Sequence, residues 1–169
     1  MKRLFWLALF FAASVHALPA AVRDGTTNWR QWGSGEMTWF GFSLYRATLW
    51  VAGDSPDASP SALQLDYLRD IPRERLVQTS LDEMRRLGAD ATQLTRWEAD
   101  LRRVFPDVKE GDSIVGVHQP GRGARFFHQG RETGAVDDAE FARRFFAIWL
   151  DPASRSPTLR TALLKRPQG

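Results

Sequence analysis

The chain has 169 residues, of which 23 are lysine or arginine and 20 are aspartate or glutamate, giving a formal net charge of +3. It has no cysteine, which excludes disulfide bonds, thiolate chemistry and cysteine-ligated metal sites. Acidic and basic residues alternate in segments such as RDIPRERL, a pattern typical of solvated helix faces, so the small positive excess does not indicate nucleic-acid binding.

The first 17 residues have the pattern of a secretory signal peptide. Lys2 and Arg3 precede an apolar run over residues 4–15, and the segment VHA then offers small residues three and one positions before a cut after Ala17. The run is too short to span a bilayer as a permanent helix. We therefore predict a periplasmic protein without a stable membrane span; an uncleaved anchor is the alternative.

The next segments predict strands. Residues 35–52 are rich in aromatic and branched side chains, with a bend or bulge expected at Gly41. Every second residue from Tyr45 to Val51 lies on one face of this stretch. After a polar loop, residues 62–71 alternate apolar and polar side chains from Leu63 to Tyr67, which indicates a half-buried strand.

Two helices follow the strands. Pro72 is well placed in the first turn of a helix that runs to Leu87 and stops at Gly88. Asp90 can cap a second helix with an apolar stripe, which Pro106 ends. Strands then return at residues 112–119, 124–128 and 131–136, joined by glycine-containing turns.

Asp137 and Glu140 fit a capping box that opens a third helix, and residues 158–164 predict a short final helix. This order of elements predicts an α+β domain in which helices are layered on an antiparallel sheet. The predicted division is a signal peptide at 1–17, a lead-in at 18–32, the domain at 33–164 and a tail at 165–169.

The histidines of the predicted mature chain do not form a metal site. If the hairpin closes around Gly121, His118 lies opposite Ala124 and His128 lies opposite Ile114. The two histidines then share a face but are about 13 Å apart at the rise of a strand. Ligands of one ion must all lie within a few ångströms of it, so we assign no metal and interpret the hairpin as structural.

The acidic pairs and the glycine-rich loops also have structural explanations. Asp82-Glu83, Glu98-Asp100 and Asp137-Asp138 lie at helix starts or on charge-alternating helix faces, where capping and solvation account for them. The glycine-containing segments PGRG and GSGE lack the lysine of a phosphate-binding loop, and PGRG joins two strands instead of opening a helix. We therefore assign no catalytic residue and no cofactor.

A ligand site is indicated by two tyrosines and an arginine. Tyr45 and Tyr67 lie on the apolar sides of their strands, where their hydroxyls need buried partners or a ligand head group. Arg69 continues that side, and a guanidinium there can bind a carboxylate. The alternative is that Arg69 pairs with a carboxylate such as Asp70 or Glu74 at the sheet edge.

Four segments resemble bacterial proteins of the chalcone isomerase-like family, over about residues 33–164. They are GEMTWFGFSLYRATLWVAG, LDYLRDIPRERLVQTSLDEMRRLG, RWEADLRRVFPDVKEGDSIVGVHQPG and RFFHQGRETGAVDDAEFARRFFAIWLDPASRSPTLRTALL. The resemblance implies an open-faced β-sandwich, with a large antiparallel sheet packed against a helical layer. In plants this fold includes isomerases that close a flavanone ring and non-catalytic relatives that bind fatty acids.

The isomerases of the family use a strand arginine and threonine, with a tyrosine and an asparagine from the helical region. Thr48 matches the strand threonine, whereas Thr38 stands where relatives often carry a basic residue. The asparagine of this chain is Asn28, before the first strand, and its tyrosines are on strands. The departure from the isomerase set favours a non-enzymatic protein.

The leading hypothesis is that a fatty acid or similar amphiphile binds between the sheet and the helices. The predicted ligand-binding residues are Tyr45, Thr48, Tyr67 and Arg69. One alternative is an isomerase or lyase that acts on a phenolic or enone substrate. Another is a protein-interaction module without a small ligand, which would use exposed tryptophans such as Trp29 or Trp32; the sequence identifies no protein partner.

Overall fold

The structure, a computed structural model, describes residues 17–23 and 25–166. In this part of the chain the strands are β1 Arg30–Trp39, β2 Phe42–Val51, β3 Ser61–Tyr67, β4 Ser113–Gln119, β5 Gly123–His128 and β6 Arg131–Val136. The helices are α1 Arg73–Arg86, α2 Ala91–Val104, α3 Ala139–Leu150 and α4 Pro157–Leu164. The strands form one antiparallel sheet in chain order, and the helices pack on one of its faces. The predicted α+β class is confirmed.

The segment predicted as one strand-rich stretch with a bend is a tight hairpin. Trp39 pairs with Phe42, and the two residues between them have positive φ, 46° at Phe40 and 80° at Gly41. A two-residue loop with both φ values positive matches the right-handed twist of the flanking strands, which is why it closes a hairpin here. β1 begins at Arg30, before the predicted start of the domain at residue 33.

The inner face of the sheet carries the main core. Every second residue of β2 and β3 faces the helices, and these residues pack against the apolar stripes of α1, α2 and α3. Asp90 caps α2 as predicted, because its side chain accepts from the Gln93 backbone while the Gln93 side chain accepts from the Asp90 backbone. Pro72 is the residue before the first helical residue of α1, one position earlier than predicted.

The cap of α3 differs from the prediction by one residue. Asp138, and not Asp137, accepts hydrogen bonds from the backbone N–H groups of Glu140 and Phe141, at 2.9 and 3.0 Å. Its second carboxylate oxygen accepts from Trp97 Nε1 at 2.9 Å, and Arg96 also binds this oxygen. The partners on α2 are distant in sequence, so a local capping pattern could not identify the correct aspartate.

The glycines of GSGE let α4 lie directly on β1. A Cβ at Gly33 would overlap the backbone carbonyls of Ala162 and Leu163, and one at Gly35 would lie 2.8 Å from the Ala162 side chain. Trp32 is buried beside them, and its indole N–H donates to the Leu164 carbonyl at 3.1 Å. These glycines therefore serve helix packing.

A second, smaller cluster covers part of the outer face of the sheet. It consists of Leu18, Val22, Trp50, Ala62, Val115, Val117 and Phe127, with Trp29 packed against it. Leu18 and Val22 come from the segment predicted as a lead-in, which therefore packs on the sheet. The predicted signal peptide lies outside the described residues except for Ala17, which is exposed. Among the described residues, the helices are too short or too polar to cross a membrane.

Candidate functional site

The candidate site is a pair of tyrosines on the inner face of the sheet. Tyr45 of β2 and Tyr67 of β3 are direct cross-strand partners, and their rings meet edge-on with centroids 5.8 Å apart. Trp149 of α3 donates its indole N–H to the Tyr45 hydroxyl oxygen at 3.0 Å. Strand alternation places both rings among apolar neighbours, as predicted, and α3 closes over them.

Both hydroxyls keep their protons at neutral pH. Burial raises the pKa of Tyr45 from 10.0 to about 12; the Trp149 hydrogen bond lowers it and the negative charge of Glu83 raises it. Burial also raises the pKa of Tyr67, with a smaller contribution from Tyr45. A protonated hydroxyl is a hydrogen-bond donor. Among the described residues neither proton has an acceptor, so two donors are available side by side.

A buried carboxylate lies near the tyrosine pair. Glu83 of α1 is 8% exposed, and one of its oxygens accepts from Arg86 Nε and Nη2 at 3.0 and 2.8 Å. Arg155, after α3, approaches its other oxygen at 3.0 Å. The two guanidinium groups compensate the charge of the carboxylate and tie α1 to the segment that follows α3.

The four predicted ligand residues lie in three places. Tyr45 and Tyr67 come together, but Thr48 is buried on the outer face of the sheet, because it is three positions from Tyr45 along β2. Arg69 lies beyond the end of β3, where its guanidinium carbon is 4.5 Å from the centre of the Phe42 ring. The structure also places it in no ion pair within the described residues, so the alternative pairing with a carboxylate is not seen either.

The histidine hairpin has the predicted register. Ile114 pairs with His128 and His118 pairs with Ala124. His118 stacks on Phe146 of α3 at 4.9 Å, and burial lowers its pKa. His128 is bound to Asp112 at 2.9 Å instead, which keeps the two imidazoles in separate surroundings. The described residues contain no cluster of side chains suited to a metal ion.

The core next to the tyrosine pair is filled by side chains, since Trp149, which binds Tyr45, contacts the Phe145 ring with centroids 5.3 Å apart. Aromatic rings of α3 and β5 contact one another in a continuous series, with Phe126, Phe141 and Phe145 at centroid distances of 5.3–6.2 Å. A surface depression of about 510 Å³ lies between α2 and β6, and another of about 220 Å³ lies between α1 and α2. Neither depression is lined by Tyr45 or Tyr67.

Sequence reasoning missed two residues of the site. Glu83 is predicted to be a solvated helix charge but is buried near Tyr45, and the sequence predicts no contact between Trp149 and Tyr45. Glu83 and Met84 are both buried, a sign that α1 is covered over a wide face. Trp32, one of the tryptophans of the interaction-module hypothesis, is also buried and does not form an exposed surface.

Comparisons with known proteins give one family and one related fold. The model of the family described as chalcone isomerase-like matches residues 15–165. Among curated proteins, none matches. A solved structure of a fatty-acid binding protein from Arabidopsis thaliana is similar over 87% of this chain and 90% of that chain, with a TM-score of 0.63 and 13% sequence identity. At this identity the similarity concerns the fold alone.

Proposed function

Because the chain belongs to the chalcone isomerase-like family, we propose that it is a non-enzymatic protein that binds a fatty acid or similar amphiphile between the sheet and the helices. The observation that carries the proposal is the pair of protonated tyrosine hydroxyls on the inner face. Two adjacent donors can both bind one carboxylic head group. The structurally similar plant protein is a fatty-acid binding protein, which supports the choice of ligand class.

The surface beside the tyrosines suits an acyl chain. Ala47 and Leu49 of β2, with Leu63 and Leu65 of β3, extend an apolar floor along the sheet from the tyrosine pair. Met84 of α1 belongs to the same core, and its unbranched side chain can change shape to fill or release space. Since this space is packed, the ligand enters when α1 or α3 moves away from the sheet.

Calorimetric titration with palmitate tests the proposal. We expect saturable binding, and we expect Tyr45→Phe and Tyr67→Phe each to weaken it by about threefold to tenfold, because each removes one hydrogen bond and keeps the ring. Thr95→Ala is the matched control, since it removes an exposed hydroxyl from α2. Thr48→Val and Arg69→Ala test the other two predicted residues. Both variants should bind palmitate with the affinity of the parent, because Thr48 lies on the outer face and Arg69 lies beyond the end of β3.

Two outcomes would contradict this assignment. If the parent binds no palmitate, the protein is not a fatty-acid carrier. If Thr48→Val abolishes binding while both tyrosine variants bind normally, the ligand lies on the outer face. A saturable ring closure of a chalcone, lost in Tyr45→Phe, would favour the isomerase alternative.

We also propose that the protein works in the periplasm. The support is the charged, apolar and small-residue pattern of residues 1–17. N-terminal sequencing of protein from a periplasmic extract should give a chain that begins at Leu18. Intact Met1 in a membrane fraction would refute the proposal.

A further inference from the structure

The large apolar side chains that are exposed in the described part of the chain gather at one end of the sheet. Trp39, Phe40 and Phe42, at the turn between β1 and β2, are 53%, 84% and 56% exposed. Leu68, just after β3, is 40% exposed. Its backbone N–H donates to the Leu44 carbonyl, which holds it beside the start of β2. We call Trp39 to Phe42 the hairpin tip.

The hairpin tip projects beyond the rest of the sheet. β2 is hydrogen-bonded to β3 and the residue after it only from Leu44 onward, whereas its pairing with β1 continues to Phe42. At the rise of a strand, two residues extend about 7 Å. The tip is therefore a narrow, two-stranded projection, and the aromatic side chains are at its end.

The backbone conformation of the turn at residue 40 is unfavourable for phenylalanine. The φ of Phe40, 46°, lies in the left-handed region, where turns of this type favour asparagine or glycine. Its ring contacts Trp39 edge-on, with centroids 5.1 Å apart, but is largely exposed to solvent. Packing of this ring therefore offsets little of the backbone strain. Strain of this kind, kept without a structural benefit, points to a function for the side chain.

A positive charge accompanies the tip. Arg69 holds its guanidinium over the Phe42 ring and forms no ion pair among the described residues. The neighbouring charges are neutralised, because Lys109 binds Asp70 at 2.8 Å and Arg46 binds Glu36 at 2.8 Å. The tip therefore combines aromatic rings with one uncompensated cation.

We propose that the hairpin tip inserts into the surface of a lipid bilayer that carries anionic head groups. From the usual size of such side chains, the exposed apolar area is roughly 450 Å², which is short of the ~800 Å² per partner of a stable protein interface. Aromatic side chains favour the boundary between head groups and acyl chains, where Trp39, Phe40 and Phe42 would lie. In this position the Arg69 guanidinium binds a lipid phosphate. The inference stands apart from the proposed fatty-acid binding.

Vesicle co-sedimentation without fatty acid tests the inference. We expect the parent to bind vesicles of phosphatidylcholine with phosphatidylglycerol, and Phe40→Asn to weaken binding by at least about fivefold. The same substitution should leave the thermal midpoint equal or higher, since asparagine tolerates the turn. Adding Trp39→Ala should reduce binding to background. Arg69→Ala should weaken binding severalfold, and Arg122→Ala, an exposed arginine in the turn at the opposite end of the sheet, should not.

Two results would overturn the inference. One is parent protein that binds the vesicles no better than the Phe40→Asn, Trp39→Ala variant. The other is a concentration-dependent dimer, seen by analytical ultracentrifugation, that the same variant abolishes while vesicle binding is unchanged; the tip would then bind protein. Because the vesicles hold no fatty acid, either result leaves the palmitate titration to decide the proposed function by itself.

Discussion

Tyr45 and Tyr67 are the only two tyrosines of the sequence, and both lie on the inner face of the sheet. A buried phenol resists ionisation because the phenolate would lose its hydration, and nearby Glu83 adds repulsion at Tyr45. The folded state therefore favours the neutral phenol more than the unfolded chain does. The contribution of this pKa difference to the free energy of unfolding is fully present below pH 10. It is lost as the pH rises from 10.0 to about 12.

We therefore predict that phenolate absorbance appears at higher pH in the native protein than in the unfolded chain. At about pH 11 the native protein should show only about a tenth of Tyr45 as phenolate, while the chain in denaturant should titrate near 10. An absorbance titration beside near-ultraviolet circular dichroism measures both. Tyr45→Phe isolates Tyr67, whose pKa is also raised. Ionisation near pH 10 in a protein with native dichroism would show that the hydroxyls are solvated and the site open.

The start of α3 shows how one side chain joins two helices. Asp138 uses one oxygen to cap α3 and the other to bind Trp97 and Arg96 of α2. Trp97 is fully buried, so without Asp138 its indole N–H would lose its partner inside the core. Asp137, the neighbouring residue, is exposed.

We predict that Asp138→Ala lowers the free energy of unfolding by about 2 kcal/mol, from the lost cap and the unpaired indole. Asp137→Ala is the matched control and should change it by less than ~0.5 kcal/mol. Urea unfolding followed by tryptophan fluorescence gives both values. Equal losses in the two variants would mean that the capping box predicted from Asp137 operates in solution.

In the molecule as a whole, the inner face of the sheet and part of its outer face are covered. The helices bury the inner face, and the segment with Leu18 and Val22 packs on the outer face against Trp50, Val115 and Phe127. Leu18 is 1% exposed, although it directly follows the predicted cleavage site. The segment after that site is therefore part of the packed structure.

We predict that removing residues 18–24 from a protein that begins at Leu18 lowers the free energy of unfolding by roughly 2–4 kcal/mol, because two aliphatic side chains are lost and the outer face of the sheet becomes exposed to solvent. A double Ala20→Ser, Ala21→Ser variant changes two exposed positions of the same segment and is the control. Guanidinium unfolding measures the difference. If the truncated protein is as stable as the parent, the segment does not pack on the sheet in solution.

Local sequence determined most of the elements. The positions of α2, the β4–β5 hairpin and its register followed from a helix cap, apolar spacing and a glycine turn, since each of these signals acts within a few residues. Strand alternation likewise placed Tyr45 and Tyr67 on one face. The lead-in gave no periodic signal, because Leu18 and Val22 bind a surface that only the assembled sheet provides.

The composition of the site was decided by the tertiary structure. Trp149 reaches Tyr45 from a helix more than a hundred residues later, and Glu83 is buried because the segment containing Arg155 folds back over α1. Arg69 contacts the Phe42 ring beyond the end of β3, and this contact depends on the irregular pairing of β1 with β2 near Thr38. Sequence periodicity thus determined which face a strand residue occupies, whereas long-range packing decided which side chains meet there, since such contacts depend on the arrangement of all the elements.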